Sequence, residues 1–256
     1  MPACPPISRR SCLLAAAGLS LAGLATASGY PDRPIKLVVP FAPGAGTDAV
    51  GRLVAAKLGE VLGQQVVVDN RTGASGAIGA QSVAQSPADG YTLLLLAAPF
   101  TTVAASVPNA GYELSQFAPV GMIAQGPLVW AVGDKLPVSN VADLVRHAKA
   151  HPAALNYGSA GVGGINHLVL ELFKVRTGTF ITHIPYRGIA PATLDVISGQ
   201  IHMLTGTIPA LAPYVREGRL KALAVTGLRR SPAMPQVPTM AEAGLKGFNV
   251  LNYFGL

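Results

Sequence analysis

The stretch VVPFAPGAGTDAVGR, residues 38–52, decides how the chain starts to fold. An apolar run ends in a turn rich in proline and glycine, and apolar residues then recur with a helical period. This pattern predicts a buried strand over 35–41, a tight turn, and a helix over 48–62. A helix that starts at such a turn offers free N–H groups and its positive dipole end to an anion. The stretch therefore predicts an anion site.

The rest of the chain repeats this alternation of apolar runs and amphipathic segments. The predicted strands cover 65–70, 91–96, 155–159, 182–186, 201–206, 220–227 and 248–256. The predicted helices cover 77–85, 139–150, 165–176, 191–198, 209–217 and a short segment at 238–243. A loop fills the interval up to Phe117, and an extended run over 118–132 is interrupted at Gly126-Pro127. The alternation predicts an α/β fold whose mainly parallel sheets are flanked by helices.

Two extended runs, 118–132 and 220–227, are candidates for crossings between two lobes. The first lobe would be discontinuous, 28–124 plus 221–256, and the second would be 125–220. Two crossings predict hinged lobes with a ligand cleft between them. Because the sequence ends on an apolar strand that needs cover, we expect its C-terminal part to be missing.

The N-terminal residues 1–27 have the composition of a cleavable signal peptide. Arg9 and Arg10 precede an apolar run, and an Ala-x-Ala site ends at Ala27. Export by the general route is favoured over the twin-arginine route, which stays open. Both cysteines, Cys4 and Cys12, lie in this segment, so the mature protein is expected to lack disulfides and thiol chemistry.

Charge gives little support for nucleic-acid binding. The chain has 19 basic and 12 acidic residues, and removal of the leader takes two of the basic ones, which leaves 17 − 12 = +5. Because these basic residues are scattered, they indicate a solvated surface with mild attraction for anions.

Nucleotide motifs fit the opening turn poorly. A P-loop lysine is absent, and Gly44, Gly46 and Ala49 match the dinucleotide fingerprint only loosely, although Asp69 lies at a plausible distance. Nucleotide binding stays open as an alternative. Similar turns of small residues follow the strands at 65–70, 155–159 and 182–186. Several such turns converging on one cleft predict a small anion, most simply a carboxylate, held largely by backbone groups.

Catalytic and metal-binding patterns are weak. The nucleophile elbow G-x-S-x-G is missed by one glycine at both Ser75 and Ser159. His167 and Glu171 lie one helical turn apart, but no third metal ligand is evident. We therefore expect no enzyme activity, no metal and no cofactor, with a hydrolytic enzyme kept as an alternative.

Long segments of the chain resemble one family, the Bug-type periplasmic solute receptors of tripartite tricarboxylate transporters (TctC-like). The resemblance covers about residues 30–256 and rests on segments such as YPDRPIKLVVPFAPGAGTD, NRTGASGAIGAQSVAQSPADGYTLL, LNYGSAGVGGINHLVLELF and HIPYRGIAPATLDVISGQIHM. It implies a type II periplasmic-binding-protein fold whose two lobes close over a dicarboxylate, tricarboxylate, amino acid or aromatic acid. It also implies a monomer in the periplasm that delivers its ligand to membrane permease subunits. A ligand sensor that signals to a membrane histidine kinase is the alternative.

The resemblance further implies three ligand-binding segments. These are Phe41, Ala42, Gly44, Ala45, Gly46, Thr47 and Asp48 in the first; Ser159, Ala160, Gly161, Gly163 and Gly164 in the second, with His167 behind it; and Pro185, Tyr186, Gly188 and Asp195 in the third. Asp48 is expected to cap the helix or order its loop rather than act as a base. Ala45 departs from a glycine usual in the family, and Ala97-Ala98-Pro99 makes one wall more apolar. Members of the family also continue several dozen residues beyond the final FGL, and those residues cover the first lobe.

Overall fold

A computed structural model describes residues 29–44 and 46–256. The chain divides into two units, Met1–Asp32 and Arg33–Leu256. Since only residues 29–32 of the first unit are described, the predicted signal peptide lies outside the described residues, as does Ala45. All elements named below belong to the second unit.

Strands and helices alternate along the described chain. The strands are β1 Ile35–Val39, β2 Val66–Asn70, β3 Thr92–Leu94, β4 Leu96–Ala97, β5 Met122–Gly133, β6 Asn156–Ser159, β7 Thr182–Pro185, β8 Met203–Thr207, β9 Leu220–Val225 and β10 Leu251–Gly255. The helices are α1 Gly46–Leu62, α2 Ala77–Ala84, α3 Pro99–Ser106, α4 Val141–Ala150, α5 Ile165–Thr177, α6 Ile189–Ser198 and α7 Ile208–Arg216. Single 3-10 turns cover Ala74–Gly76 and Leu114–Gln116.

The first sheet is parallel and has the order β2-β1-β3. Its central strand β1 is buried on both faces, as a strand covered by helices on each side should be. Val38 packs with α2 and α3 residues on one face, while Leu37 and Val39 pack with Ala55 of α1 on the other. These two clusters fix the start of α1 at the carboxyl end of β1.

The second sheet is mixed and runs in the order β4-β10-β5-β8-β6-β7, with β9 also paired to β5. Strand β5 has twelve residues and pairs antiparallel with β10 over its first half and with β8 and β9 over its second. Strands β6, β7 and β8 pair in parallel. The prediction of mainly parallel sheets therefore holds for β1–β3 and β6–β8, but it missed the antiparallel pairing of β5.

Alternate residues of β5 enter two separate cores. Leu128, Trp130 and Val132 join the cluster that includes Phe173 of α5, whereas Val129 and Ala131 join the cluster that α6 and α7 cover. A period of two on a strand places successive side chains on opposite faces, so this sheet is covered on both sides. The rings of Trp130 and Phe173 lie 4.6 Å apart.

Most predicted elements are present with bounds shifted by a few residues, but three expectations are wrong. The predicted loop before Phe117 contains helix α3. The segment 238–243, predicted as a helix, is a series of turns. Strand β5 continues through Gly126-Pro127 instead of breaking there. The N-cap residue of α4 is Asn140, whose side-chain oxygen accepts the backbone N–H of Asp143 at 2.8 Å.

The described helices include none that combines the length and the apolar character needed to cross a membrane. The division into lobes at 28–124 plus 221–256 and 125–220 stays a prediction, since the described part of Arg33–Leu256 clusters as one unit.

Candidate functional site

A cavity lies where five strands end; it holds about 820 Å³ of space when the open solvent at its mouth is counted. Each of β1, β4, β6, β7 and β8 places a residue in its wall at or just beyond its carboxyl end: Phe41, Ala97, Ala160, Gly188 and Thr207. This edge of the strands is where α/β folds commonly bind ligands. The cavity is therefore the candidate site.

The lining is mostly apolar or glycine. Its polar side chains are Thr47, Asn166, Thr193, Thr207, Tyr214 and Asn252, and none of the described lining residues carries a charge. A bound anion would be met by backbone dipoles and neutral donors instead of by a lysine or arginine.

Four helices point their N-termini into this cavity. The first residues of α1 and α5 line it, and so do Ile189 and Ala190 of α6 and Ala210 of α7. The N-cap residues of α5, α6 and α7 form no side-chain cap hydrogen bond. Because a helix N-terminus has free N–H groups and a partial positive charge of about half an elementary charge, the four together favour a negative group in the cavity.

The N-termini of α1 and α7 meet at Gly46 and Thr207. A Cβ atom at Gly46 would collide with Thr207 Oγ1, so the first helix can approach this closely only with glycine there. Thr207 is the N-cap residue of α7, yet its hydroxyl is buried and has no hydrogen-bond partner among the described residues. A donor without a partner at the wall of a cavity is a candidate contact for a ligand.

Asp48 orders the loop between β1 and α1. Asp48 is 2% exposed. Its carboxylate accepts hydrogen bonds from the backbone N–H of Gly44 and from the side-chain donors Arg52 Nε and Asn70 Nδ2, each at 2.9 Å. Asn70 Nδ2 also donates to Phe41 O at 2.9 Å. Burial alone would raise the pKa of Asp48, but the bonds from Arg52, Gly44 and Asn70 and the charge of Arg52 lower it below its ordinary value. Asp48 thus shapes the lining loop without lining the cavity itself.

Residues 160–164, the β6–α5 loop, are held from behind by two histidines. Ser159 Oγ lies 2.6 Å from His183 Nε2 and accepts the N–H of Gly161 at 3.1 Å. The N–H of Gly163 donates to His167 Nδ1 at 3.3 Å. The rings of His167 and His183 lie 4.2 Å apart. The loop geometry therefore depends on these rings, although neither lines the cavity.

Burial favours the neutral form of both rings. Desolvation and the neighbouring His167 lower the pKa of His183 to about 4, against a partial opposing effect of Glu171. Desolvation also lowers the pKa of His167. Glu171 is in turn fixed by Tyr157 OH at 2.5 Å and Lys174 Nζ at 2.7 Å. Among the described residues, no group of three or more histidine, cysteine or acidic side chains could hold a metal ion.

The start of α6 supplies the third predicted segment. Gly188 is its N-cap residue and lines the cavity. Tyr186 OH donates to Asp195 Oδ2 at 2.7 Å, which ties the segment to the body of the helix. Desolvation, together with this bond and the charge of Asp195, raises the pKa of Tyr186 to about 12. Tyr186 and Asp195 thus support the segment from outside the cavity wall.

The predicted residues fall into three groups. Those that line the cavity are Phe41, Ala42, Gly44, Gly46, Thr47, Ala160 and Gly188. Those that lie outside its lining are Asp48, Ser159, Gly161, Gly163, Gly164, His167, Pro185, Tyr186 and Asp195. Ala45 is outside the described residues. Their role in binding stays a prediction.

Other lining residues were not predicted. The polar ones are Asn166, Thr193, Thr207, Tyr214 and Asn252. Asn252 is 5% exposed within an otherwise apolar strand, and its Oδ1 accepts the N–H of Ala98 at 3.3 Å. A polar residue inside an apolar strand is a signal that sequence reasoning could have used.

Comparison with known proteins gives one family. Its sequence model, described as the tripartite tricarboxylate transporter family receptor, matches residues 50–256. Protein BugT of Bordetella pertussis is 40% identical over 252 residues, which cover 95% of this chain and 77% of that protein.

Two solved structures with named ligands are similar in fold. One, R. palustris Rpa4515 with adipate, has a TM-score of 0.85 and 41% identity and covers 88% of this chain and 76% of that one. The other, MatC (Rpa3494) from Rhodopseudomonas palustris with bound malate, has a TM-score of 0.84 and 31% identity and covers 88% and 78%. The expected periplasmic-binding-protein fold is therefore confirmed.

Proposed function

Because this chain belongs to the tripartite tricarboxylate transporter receptor family, we propose that it captures a small carboxylate in the cavity described above and delivers it to the permease subunits of a transporter. The family consists of solute-binding receptors and not of enzymes, so the hydrolytic and nucleotide-binding alternatives have no support.

One observation carries the proposal. Four helix N-termini line a cavity whose described wall residues include no charged side chain. Free N–H groups in a partly desolvated cavity stabilise a carboxylate while leaving its apolar body in contact with residues such as Leu128 and Ile189. The same dipoles would disfavour a cationic ligand, and a neutral ligand would gain less from them than a carboxylate does.

The ligand class we propose is a mono- or dicarboxylate with a hydrocarbon body. Adipate and malate, the acids bound in the two similar structures, are small dicarboxylates. The binding segments would be those around Thr47, Ala160 and Gly188, with Asn166, Thr207 and Asn252 as further polar contacts. The receptor would act in the periplasm after its leader is removed.

Calorimetric titration with a panel of acids tests the proposal. The panel contains adipate, malate, citrate, aspartate and benzoate. A blocking variant, Ala190→Trp, fills the cavity from a lining residue that is exposed, so the fold should tolerate it. Ala150→Trp is the matched control, since Ala150 is also an exposed helical alanine but does not line the cavity.

We expect at least one acid to bind the wild type and the control equally, and to bind Ala190→Trp at least about tenfold more weakly through steric exclusion from the cavity. Native mass spectrometry of the purified protein would identify a co-purified acid outside the panel. Absence of binding by any acid, with none co-purified, would overturn the function. If Ala190→Trp bound the acid as tightly as the wild type, the assignment of this cavity as the binding site would be wrong.

A further inference from the structure

Two side-chain hydroxyls far apart in sequence bind the same loop. Ser75 Oγ donates to the carbonyl of Val162 at 2.9 Å, and Thr102 Oγ1 donates to the carbonyl of Gly163 at 2.8 Å. Ser75 lies in the 3-10 turn before α2, and Thr102 lies on α3. The acceptors are adjacent residues of the β6–α5 loop, so the two bonds fix one point of the backbone from two directions.

The loop is shaped to receive these contacts. A Cβ at Gly161 would lie 2.5 Å from Ser75 Oγ, and a Cβ at Gly163 would lie 2.6 Å from Val107 Cγ2 and 2.9 Å from Ser106 Oγ. Both glycines have positive φ. Glycine is therefore required twice over, by space and by backbone conformation.

The opposing turn is also held in an uncommon conformation. Ser75 is 4% exposed and has φ 55°, and the preceding Ala74 has φ 47°. Non-glycine residues seldom adopt this left-handed region unless their surroundings require it. Here the conformation aims the Ser75 hydroxyl at the loop.

The same segments also contribute to the cavity wall. Ala97 and Pro99, which precede Thr102, line one part of it, and Ala160 of the loop and Ile165 just after the loop line another. We infer that Ser75 and Thr102 form a two-point clasp, which holds the β6–α5 loop against α3 and so keeps a captured acid enclosed. They are positioning residues, since neither is part of the cavity lining. The inference rests on the proposed function.

Release rates test the clasp. Radiolabelled adipate and malate would be bound to the wild type and to the variant Ser75→Ala/Thr102→Val, with release followed by rapid filtration and Kd measured by equilibrium dialysis. Thr102→Ser keeps the hydroxyl and should behave as the wild type. Ser82→Ala is the matched control, because Ser82 Oγ donates to Gly79 O within its own helix, at 2.7 Å, and makes no hydrogen bond to the described β6–α5 loop.

We expect the double variant to release ligand about tenfold faster, the size expected for the net loss of two hydrogen bonds, with an association rate within about twofold of the wild type. A merely structural loss would reduce the active fraction without changing the release rate. An unchanged release rate in the folded double variant would overturn the clasp while leaving the receptor function intact.

A second measurement does not need a ligand. Small-angle scattering should give a larger radius of gyration for the double variant than for the wild type and Ser82→Ala, because opening the clasp separates the two walls. If neither acid binds the wild type, the proposed function fails for these acids and scattering alone decides. An unchanged radius would then overturn the clasp.

Discussion

Thr207 is the residue at which the site chemistry is most open to test. It shares the cavity wall with Thr193, but Thr193 Oγ1 already donates to Ile189 O at 2.8 Å within its helix. The Thr207 hydroxyl has no partner in the described part of the chain. We expect Thr207→Val to weaken carboxylate binding by about tenfold to a hundredfold, since a bond to a charged acceptor contributes about 1.5–3 kcal/mol. Thr193→Val should leave the affinity within about twofold. Calorimetric titration measures both.

The opposite result has a clear physical meaning. A buried hydroxyl that never meets a ligand only costs free energy, so its replacement by valine would raise the melting temperature and leave the affinity unchanged. That combination would remove Thr207 from the binding site.

The lowered pKa of His183 predicts how the stability of the folded chain depends on pH. Its pKa is lowered to about 4 in the folded chain from 6.5 in the reference state. A histidine with a lowered pKa binds fewer protons when folded, so its contribution is complete above pH 6.5 and is lost as the pH falls towards 4. We expect a loss of up to roughly 3 kcal/mol in the free energy of unfolding over this interval. Urea titrations at several pH values measure it.

The variant His183→Gln cannot be protonated, so its unfolding free energy should vary less between pH 6.5 and 4. His151→Gln is the control, since His151 is exposed and lies outside this cluster. Equal pH profiles for His183→Gln and the wild type would show that other groups produce the effect.

At the scale of single elements, α2 depends on the close approach of Gly79 to the end of β1. A Cβ at Gly79 would lie 2.7 Å from Pro40 Cβ and 2.9 Å from Arg71 O. Because two backbone segments cannot move away as a flexible side chain can, we expect Gly79→Ala to cost about 1–3 kcal/mol despite the better helix propensity of alanine. Thermal or urea unfolding gives the value.

Gly126→Ala provides the comparison. Gly126 lies within β5, and a Cβ there would meet nothing within 4 Å. The free energy of unfolding of the Gly126→Ala variant should stay within about 0.5 kcal/mol of the wild-type value. A neutral Gly79→Ala would mean that α2 can move off Pro40 without cost.

Elements were predictable where the signal was local. Strand, glycine turn and helix follow one another at β1–α1 and β6–α5, and the hydrophobic periodicity locates both of these strand–turn–helix segments. Helix α3 was missed because PFTTVAAS has no clear polar face and its N-cap, Ala98, makes no cap bond. The composition of 238–243 predicted a helix, but the segment forms turns because Val237 and Met240 are buried in the core by long-range packing. Local helix propensity does not show when tertiary packing will override it.

At the scale of the whole molecule, the resemblance supplied the loops of the site but not its complete wall. Asp48 was expected to cap its helix or to order its loop. It lies inside the first turn of α1 and so is not the cap, but its carboxylate does accept the N–H of Gly44 in the loop. Asn252 and Tyr214 come to the cavity only through the pairing of β10 with β5 and the packing of α7. Antiparallel pairing of strands more than a hundred residues apart leaves no periodic trace in the sequence.

The charge of the whole molecule and the charge inside the cavity should act on different rate constants. Residues 29–256 carry 17 basic and 12 acidic side chains, that is 19 minus the two leader arginines, against 12. This net positive charge attracts an anion over distances that salt screens, about 10 Å at 0.1 M. The helix N-termini act at contact distance inside a partly enclosed cavity, where screening is weak.

We therefore expect the association rate of a bound dicarboxylate to fall several-fold between about 20 and 500 mM NaCl, while its release rate stays within about twofold. Rapid filtration at each salt concentration measures both. A release rate that rises steeply with salt would show instead that a solvent-exposed side-chain charge holds the carboxylate. The proposal that helix dipoles alone bind the anion would then be wrong.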